Sequence, residues 1–193
     1  MHAYSIDTGA RKSATRLLLL AAIGLSGLIS SLASRFHIPQ AWVASATTGA
    51  CFGLLYVAFD RWLWRRLTAL HGVPDLQGTW SIRGRSSFKP DGTKHAEFEG
   101  DMRIRQTFSR IHLCAEFSQS TSKSTMAALQ IQGAVMSLGY AFENAPKNLA
   151  DDSLHRHPGL ATAMLKDRDT LEVEYFSGKH RLRYGTMTLT RKR

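Results

Sequence analysis

Residues 17–34 read LLLLAAIGLSGLISSLAS and residues 41–59 read AWVASATTGACFGLLYVAF, and neither stretch holds a charged residue. A helix crosses the hydrocarbon core with about 20 mostly apolar residues, in a range of roughly 17–25, so each stretch is long enough. Only Arg35, Phe36, His37, Ile38, Pro39 and Gln40 separate them, a link that can do no more than turn the chain back. The pair reads as a transmembrane helical hairpin, and the lipid bilayer is the first partner the sequence implies. A secretory signal is the rival reading, with a basic start at 11–16, an apolar core at 17–31 and a small-residue cleavage site at Ser31-Leu32-Ala33. The length of the first run and the second span directly behind it favour the hairpin. Cys51, inside a span, and Cys114, beyond it, make no secretory disulfide framework.

Charge orients the hairpin. Arg11, Lys12 and Arg16 precede the first span and Arg61, Arg65 and Arg66 follow the second, whereas the turn carries Arg35 alone. Positive residues favour the cytoplasmic side, which places both termini inside. Trp62 and Trp64 among the arginines read as an interfacial anchor. Ser45, Gly49 and Gly53 recur every four residues, as do Ser26, Ser30 and Ser34. Small residues so spaced let helices approach closely in lipid, either within the hairpin or between hairpins of different subunits. Spans without charge disfavour a proton relay or ion pathway.

Three regions follow: a basic cytoplasmic N-terminus (1–16), the hairpin with its anchor (17–72) and a soluble domain (73–193). The second helix is expected to pass Arg66 and end near Leu70, where His71-Gly72-Val73-Pro74 supplies a glycine stop and a proline. The net charge of +10 is spread along the chain with no dense basic run, so no DNA or RNA duplex is an expected partner. Beyond residue 73 the pattern is alternation with period two. Ile111, Leu113, Ala115 and Phe117 share a face, as do Ala134, Met136, Leu138, Tyr140 and Phe142, and Leu171, Val173 and Tyr175. Lys89-Pro90-Asp91-Gly92, Asp167-Arg168-Asp169 and Ser177-Gly178-Lys179 supply turns. The fold class is membrane-anchored all-β: a two-helix transmembrane hairpin followed by a small antiparallel β-barrel of about eight strands. Gly78-Thr79-Trp80 resembles the opening strand of lipocalin-like barrels, where the Trp plugs one end.

The order of segments resembles a known family. Two short spans, PDLQGTWSIRGRSS, IRQTF, SQSTSKST, GYAFENAP, HRHPGLATAML and YGTMTLTR are similar to CBASS antiphage effectors with two transmembrane helices and a cyclic-nucleotide-sensing β-barrel. The resemblance runs from the first span to Arg191. It implies a bacterial inner-membrane protein, multi-pass with cytoplasmic termini, whose barrel binds a cyclic nucleotide made by a CD-NTase, usually a cyclic dinucleotide. Binding would drive self-association, inner-membrane disruption and death of the infected cell. The alternative from another class is a membrane-tethered, lipocalin-like barrel for an apolar small molecule or lipid.

A cyclic dinucleotide offers two phosphates and two flat bases, so its receptor needs cationic or hydroxyl donors and aromatic or amide groups. If Met187 and Leu189 point inward, period two puts Arg181, Arg183 and Gly185 on the same face, and inward arginines are costly without an anion. A bulge at Gly185 would instead return them to solvent. Ser120, Ser122 and Ser124 share a face, with Met126 and Ala128 further along it; they are hydroxyl donors or a solvated strand end. Tyr140 and Asn144 read as a base stacker and an edge reader, or as core packing and a turn at Asn144-Ala145-Pro146. Tyr175 carries the same pair of readings. His157, in His157-Pro158-Gly159, matches a motif of the resembled family as a turn or ligand hydrogen bond. The pair His155 and His157 has no accompanying metal-ligand set. Arg83 and Arg85 alternate away from Trp80 and read as solvated. Neither a cofactor nor catalysis is expected, because Gly-x-Ser-x-Gly, P-loop, metalloprotease and Cys-x-x-Cys motifs are absent from the sequence.

Overall fold

A computed structural model describes residues 1–7, 9–39, 43, 47–87, 96–133, 135–147, 156–178 and 183–192. The chain divides into a unit of Thr8–Pro74 and a unit that joins Met1–Asp7 to Asp75–Arg193.

In the first unit, α1 (Ala10–Arg35) is the one helix, among the described residues, long and apolar enough to cross a membrane. Its leucines, including Leu17, Leu20, Leu28 and Leu32, are exposed, the reverse of a helix in a soluble core. Ser30 Oγ donates to the Ser26 carbonyl and Ser34 Oγ to the Ser30 carbonyl, each at 3.0 Å, so these hydroxyls are satisfied within their own helix, as lipid requires. A second helix, α2 (Thr48–Arg61), packs on α1 and is capped by Thr47, whose side chain accepts from the Ala50 amide at 3.3 Å. It covers the later part of the second predicted span; the earlier part, Ser45 included, lies outside the described residues.

The expected continuous helix past Arg66 is broken. Trp62 leaves helical geometry at φ −132°, a 3-10 segment follows at Leu63–Leu67, and α3 (Thr68–His71) ends at Gly72 with φ 71°. The left-handed stop is where the glycine predicted it. Of the two tryptophans read as an anchor, Trp62 is exposed, whereas Trp64 is fully buried and so does not present its ring to the headgroups. His71 explains the fold-back: Val73 N–H donates to Nδ1 at 3.0 Å, leaving Nε2 to donate to the Trp64 carbonyl at 2.8 Å.

The second unit is a ring of nine strands: β1 (His2–Ile6), β2 (Gly78–Ser86), β3 (Ala96–Gln106), β4 (Arg110–Phe117), β5 (Ser120–Gln132), β6 (Val135–Pro146), β7 (His157–Asp167), β8 (Thr170–Ser177) and β9 (Arg183–Arg191). β2 to β9 pair antiparallel in sequence order, except that β9 also pairs β2. β4 and β5 pair directly from Cys114 to Glu116 and then diverge. β1 fills that gap, antiparallel to β4 and parallel to β5, and completes the closure. The start of the region read as a basic N-terminus is thus a strand of the ring. Tyr4 anchors it, because its hydroxyl accepts from the buried Gln106 Nε2 at 3.3 Å, while Gln106 Oε1 accepts from the Leu76 amide at 2.8 Å.

Period two holds along most of the ring. Trp80, Ile82, Met102, Ile104, Leu113, Leu138, Leu171, Val173 and Leu189 are buried inside. Among the described residues the register shifts between Leu165 and Asp167, at the end of β7, and between Ser124 and Met126, within β5. The bulge flips the face, so Met126 is 65% exposed while Leu129 is 1% exposed, correcting the placement of Met126 and Ala128 beside the serines. Asn144-Ala145-Pro146 is also strand rather than turn.

Candidate ligand-binding cavity

Trp80 closes one end of the ring. Its indole N–H donates to the Leu76 carbonyl at 3.0 Å, and the Arg191 guanidinium lies 4.3 Å over its ring. Above this floor the inner face opens into a cavity of about 550 Å³, within the usual range for small-ligand sites of roughly 300–1,000 Å³. All its lining residues belong to the strand unit.

Of the residues singled out from sequence, Ser122, Ser124, Tyr140, Asn144, His157, Tyr175 and Arg183 line this one cavity. Arg181, like His155, lies outside the described residues. The register explains the convergence. Ser122 is opposite Asn144, and Asn144 is opposite His157, so three inward polar side chains form a row across β5, β6 and β7. β9 runs through Gly185 without a register shift against β2 or β8, so period two carries the inner face from Met187 to Arg183. The bulge that would have turned Arg183 outward is absent from this described stretch.

The hydroxyls are unequal. Ser124 sits where β4 and β5 part: its Oγ accepts from the Leu113 amide at 2.9 Å and lies 2.8 Å from His2 Nε2. It holds β1 and the fork together. Ser122 is half-buried on the same wall. Ser177 Oγ donates to the Arg183 carbonyl at 3.3 Å, tying β8 to β9 beside the arginine.

The tyrosines combine core and lining roles. Tyr140 is almost fully buried yet borders the cavity; burial pushes its phenol up and keeps it neutral. Tyr175 is also pushed up, chiefly by burial, against the Ser86 hydrogen bond and the nearby Arg183 charge, which pull it down. Glu97 and Glu99 reach the mouth, where Arg85 and Arg83 pair with them at 3.2 Å and 3.5 Å. These arginines are solvated, as read, and such exposed pairs add little stability. Phe98, Phe117 and Phe142 also line the cavity; alternation places Phe117 and Phe142 on the apolar faces of their strands without giving them a ligand role, and alternation from Met102 could have placed Phe98 inward.

In the helical unit, Gly49 and Gly53 lie on α2. A Cβ at Gly53 would meet nothing within 4 Å, and one at Gly49 would meet only the Thr47 hydroxyl at 3.7 Å. Neither glycine is held small by a contact with α1.

Comparison with known proteins covers both units. A family model described as Cap15, cyclic dinucleotide receptor domain matches residues 71–191, and one described as Cap15, TM helices matches residues 12–65. CD-NTase-associated protein 15 of Yersinia aleksiciae is 34% identical over 160 residues, spanning 80% of this chain and 74% of that protein.

Proposed function

The chain belongs to the Cap15 family, and on that premise we propose that it is an inner-membrane CBASS effector whose strand ring, a β-barrel, binds a cyclic dinucleotide. The observation that carries this reading is the single cavity in which Arg183 joins Ser122, Asn144, His157 and Tyr175. A guanidinium with hydroxyl and amide groups suits phosphates and base edges. The wall is more apolar than polar, as small-ligand sites are, and it is the row of Ser122, Asn144 and His157 with Arg183 beyond it that favours an anionic, hydrogen-bonding ligand over a lipid or other apolar cargo.

The membrane part of the reading is a two-span hairpin. Met1–Asp7 and Asp75–Arg193 belong to one folded unit, so a chain that crosses the bilayer through α1 must cross again before Asp75. The second apolar stretch, ending in α2, is the segment available for that return. The basic flanks put the joined termini in the cytoplasm, on the side where a CD-NTase product is made. Ligand binding raises the population of a self-associating state. Hairpins then meet through the open faces of Gly49 and Gly53, with Ser45 on the same spacing, and the bilayer is breached.

The test is release of a self-quenched dye from vesicles bearing the full-length protein. Nanomolar to micromolar release by one cyclic dinucleotide, and none by the corresponding linear dinucleotide, is the expected result. A ligand that binds but never permeabilises the vesicles would separate sensing from the proposed output and refute the latter.

A further inference from the structure

Four inward-facing rings of the cavity share one local arrangement. Phe98 on β3 is paired in register with Gly84 on β2, Phe117 on β4 with Gly100 on β3, Phe142 on β6 with Gly159 on β7, and Tyr175 on β8 with Gly185 on β9. At each glycine an added Cβ would come closer than 3.0 Å to the paired aromatic side chain; at Gly84 and Gly159 the ring alone excludes it, whereas at Gly100 and Gly185 the backbone carbonyls of Glu116 and Arg85 lie nearer still. The glycines therefore let each ring lie down across the neighbouring strand instead of standing into the space. A ring so laid covers backbone with one face, and all four residues border the cavity.

The rings form two groups. Phe98 stands edge-on to Phe117 at 5.7 Å and to Tyr175 at 6.0 Å, making one continuous wall. Phe142, 6.2 Å from Tyr140, makes a second wall on β6. Around the ring, Phe98 on β3 and Phe142 on β6 are separated by β2, β9, β8 and β7 in one direction and by β5, β1 and β4 in the other, while Tyr175 on β8, at the near edge of the first wall, has β7 alone between it and β6. An aromatic over a cross-strand glycine stabilises a sheet by itself, which would explain one such pair. Four that all border one cavity call for a further reason.

We propose that the two walls are separate base-stacking surfaces, one for each base of the bound cyclic dinucleotide. This rests on the cyclic dinucleotide reading above and adds residues to it. Stacking uses the π face that every base has, so the walls supply affinity and a demand for two bases. Base identity is left to Ser122, Asn144 and His157, and charge to Arg183.

The test is calorimetric titration of the full-length protein in detergent with a panel of purine cyclic dinucleotides, followed by variants against the tightest. Phe98→Leu and Phe142→Leu should each weaken binding by about fivefold to a hundredfold, with their losses multiplying because the walls are separate. Gly84→Ala, which lifts the Phe98 ring from its bed, should weaken binding too and add nothing to Phe98→Leu. If either leucine variant unfolds, Gly84→Ala and Gly159→Ala carry the same test, since lost affinity supports the walls and wild-type affinity refutes them. Leucine variants within twofold of wild type overturn the proposal and leave nucleotide binding standing. A wild-type protein that binds no member of the panel removes both.

Discussion

The Arg191 guanidinium lies 4.3 Å over the Trp80 ring while donating to the carbonyls of Gln77 and Asp75. One residue near the end of the last strand thus fastens the segment that leads into the ring and covers the indole that fills its floor. Asp169 adds an ion pair at 3.3 Å.

Replacing either partner should loosen the floor. Trp80→Ala removes a fully buried indole and is expected to cost about 3–5 kcal/mol. Arg191→Ala should cost less, about 1–3 kcal/mol, because it strands two carbonyls and a ring contact. Thermal and urea unfolding of the detergent-solubilised protein measure both.

Arg183 should carry a large share of the nucleotide's charge recognition. Hydrogen bonds to charged groups contribute about 1.5–3 kcal/mol, so Arg183→Ala is expected to weaken binding by about tenfold to a hundredfold, and Arg183→Lys by less. Loss of Arg181 together with Arg183 should abolish most of the salt dependence of binding. Titrations at low and high salt read this directly.

The polar row should act on selectivity. Asn144→Ala and His157→Ala each remove an inward group whose neighbours in register are also polar. Each is expected to cost about 0.5–1.5 kcal/mol toward the preferred nucleotide and less toward the others, narrowing the spread of affinities across a panel.

Acid should weaken the ring. His112 titrates below its ordinary 6.5, first because of burial and then because of the amino terminus, His2, Arg105 and Lys123 around it. The unfolded chain takes up that proton at higher pH than the folded one, so stability is full above about pH 6.5 and falls as pH drops toward the lowered folded value. His112→Gln should flatten this acid limb in unfolding curves measured from pH 5 to 8.

Helix packing in the membrane gives the fifth prediction. Gly53→Leu fits the protomer, since nothing lies within 4 Å of the new side chain's first atom, and should leave unfolding unchanged. If hairpins meet through this face, the same change lowers ligand-triggered dye release severalfold. Unaltered release would remove Gly53 from the contact.

Much of the architecture was legible because alternation is a local signal. Trp80, Ile82, Leu138 and Val173 reveal their faces from neighbours two residues away, and Gly72 announces the stop that it makes. The strand β1 was not legible, since five residues ahead of a basic, apolar run carry no pattern that distinguishes a strand from a tail. Its place depends on Tyr4 meeting Gln106 and His2 meeting Ser124, contacts more than a hundred residues apart in the chain. For that reason a fragment beginning at residue 73 would lack a wall of the ring. The bulge before Met126 was equally silent, because an inserted residue reverses the face without altering composition. Ser122, Asn144 and His157 could each be named from sequence, but their row exists only through register. The same holds for the four aromatic–glycine pairs.

The most direct measurement is calorimetry of the full-length protein, β1 included, with cyclic dinucleotides of each base composition. One tight ligand, at one molecule per strand ring and weakened at least tenfold by Arg183→Ala, is the predicted result. A folded protein that binds none of them, or binds one equally well without Arg183, would contradict the assignment of this cavity as the nucleotide site.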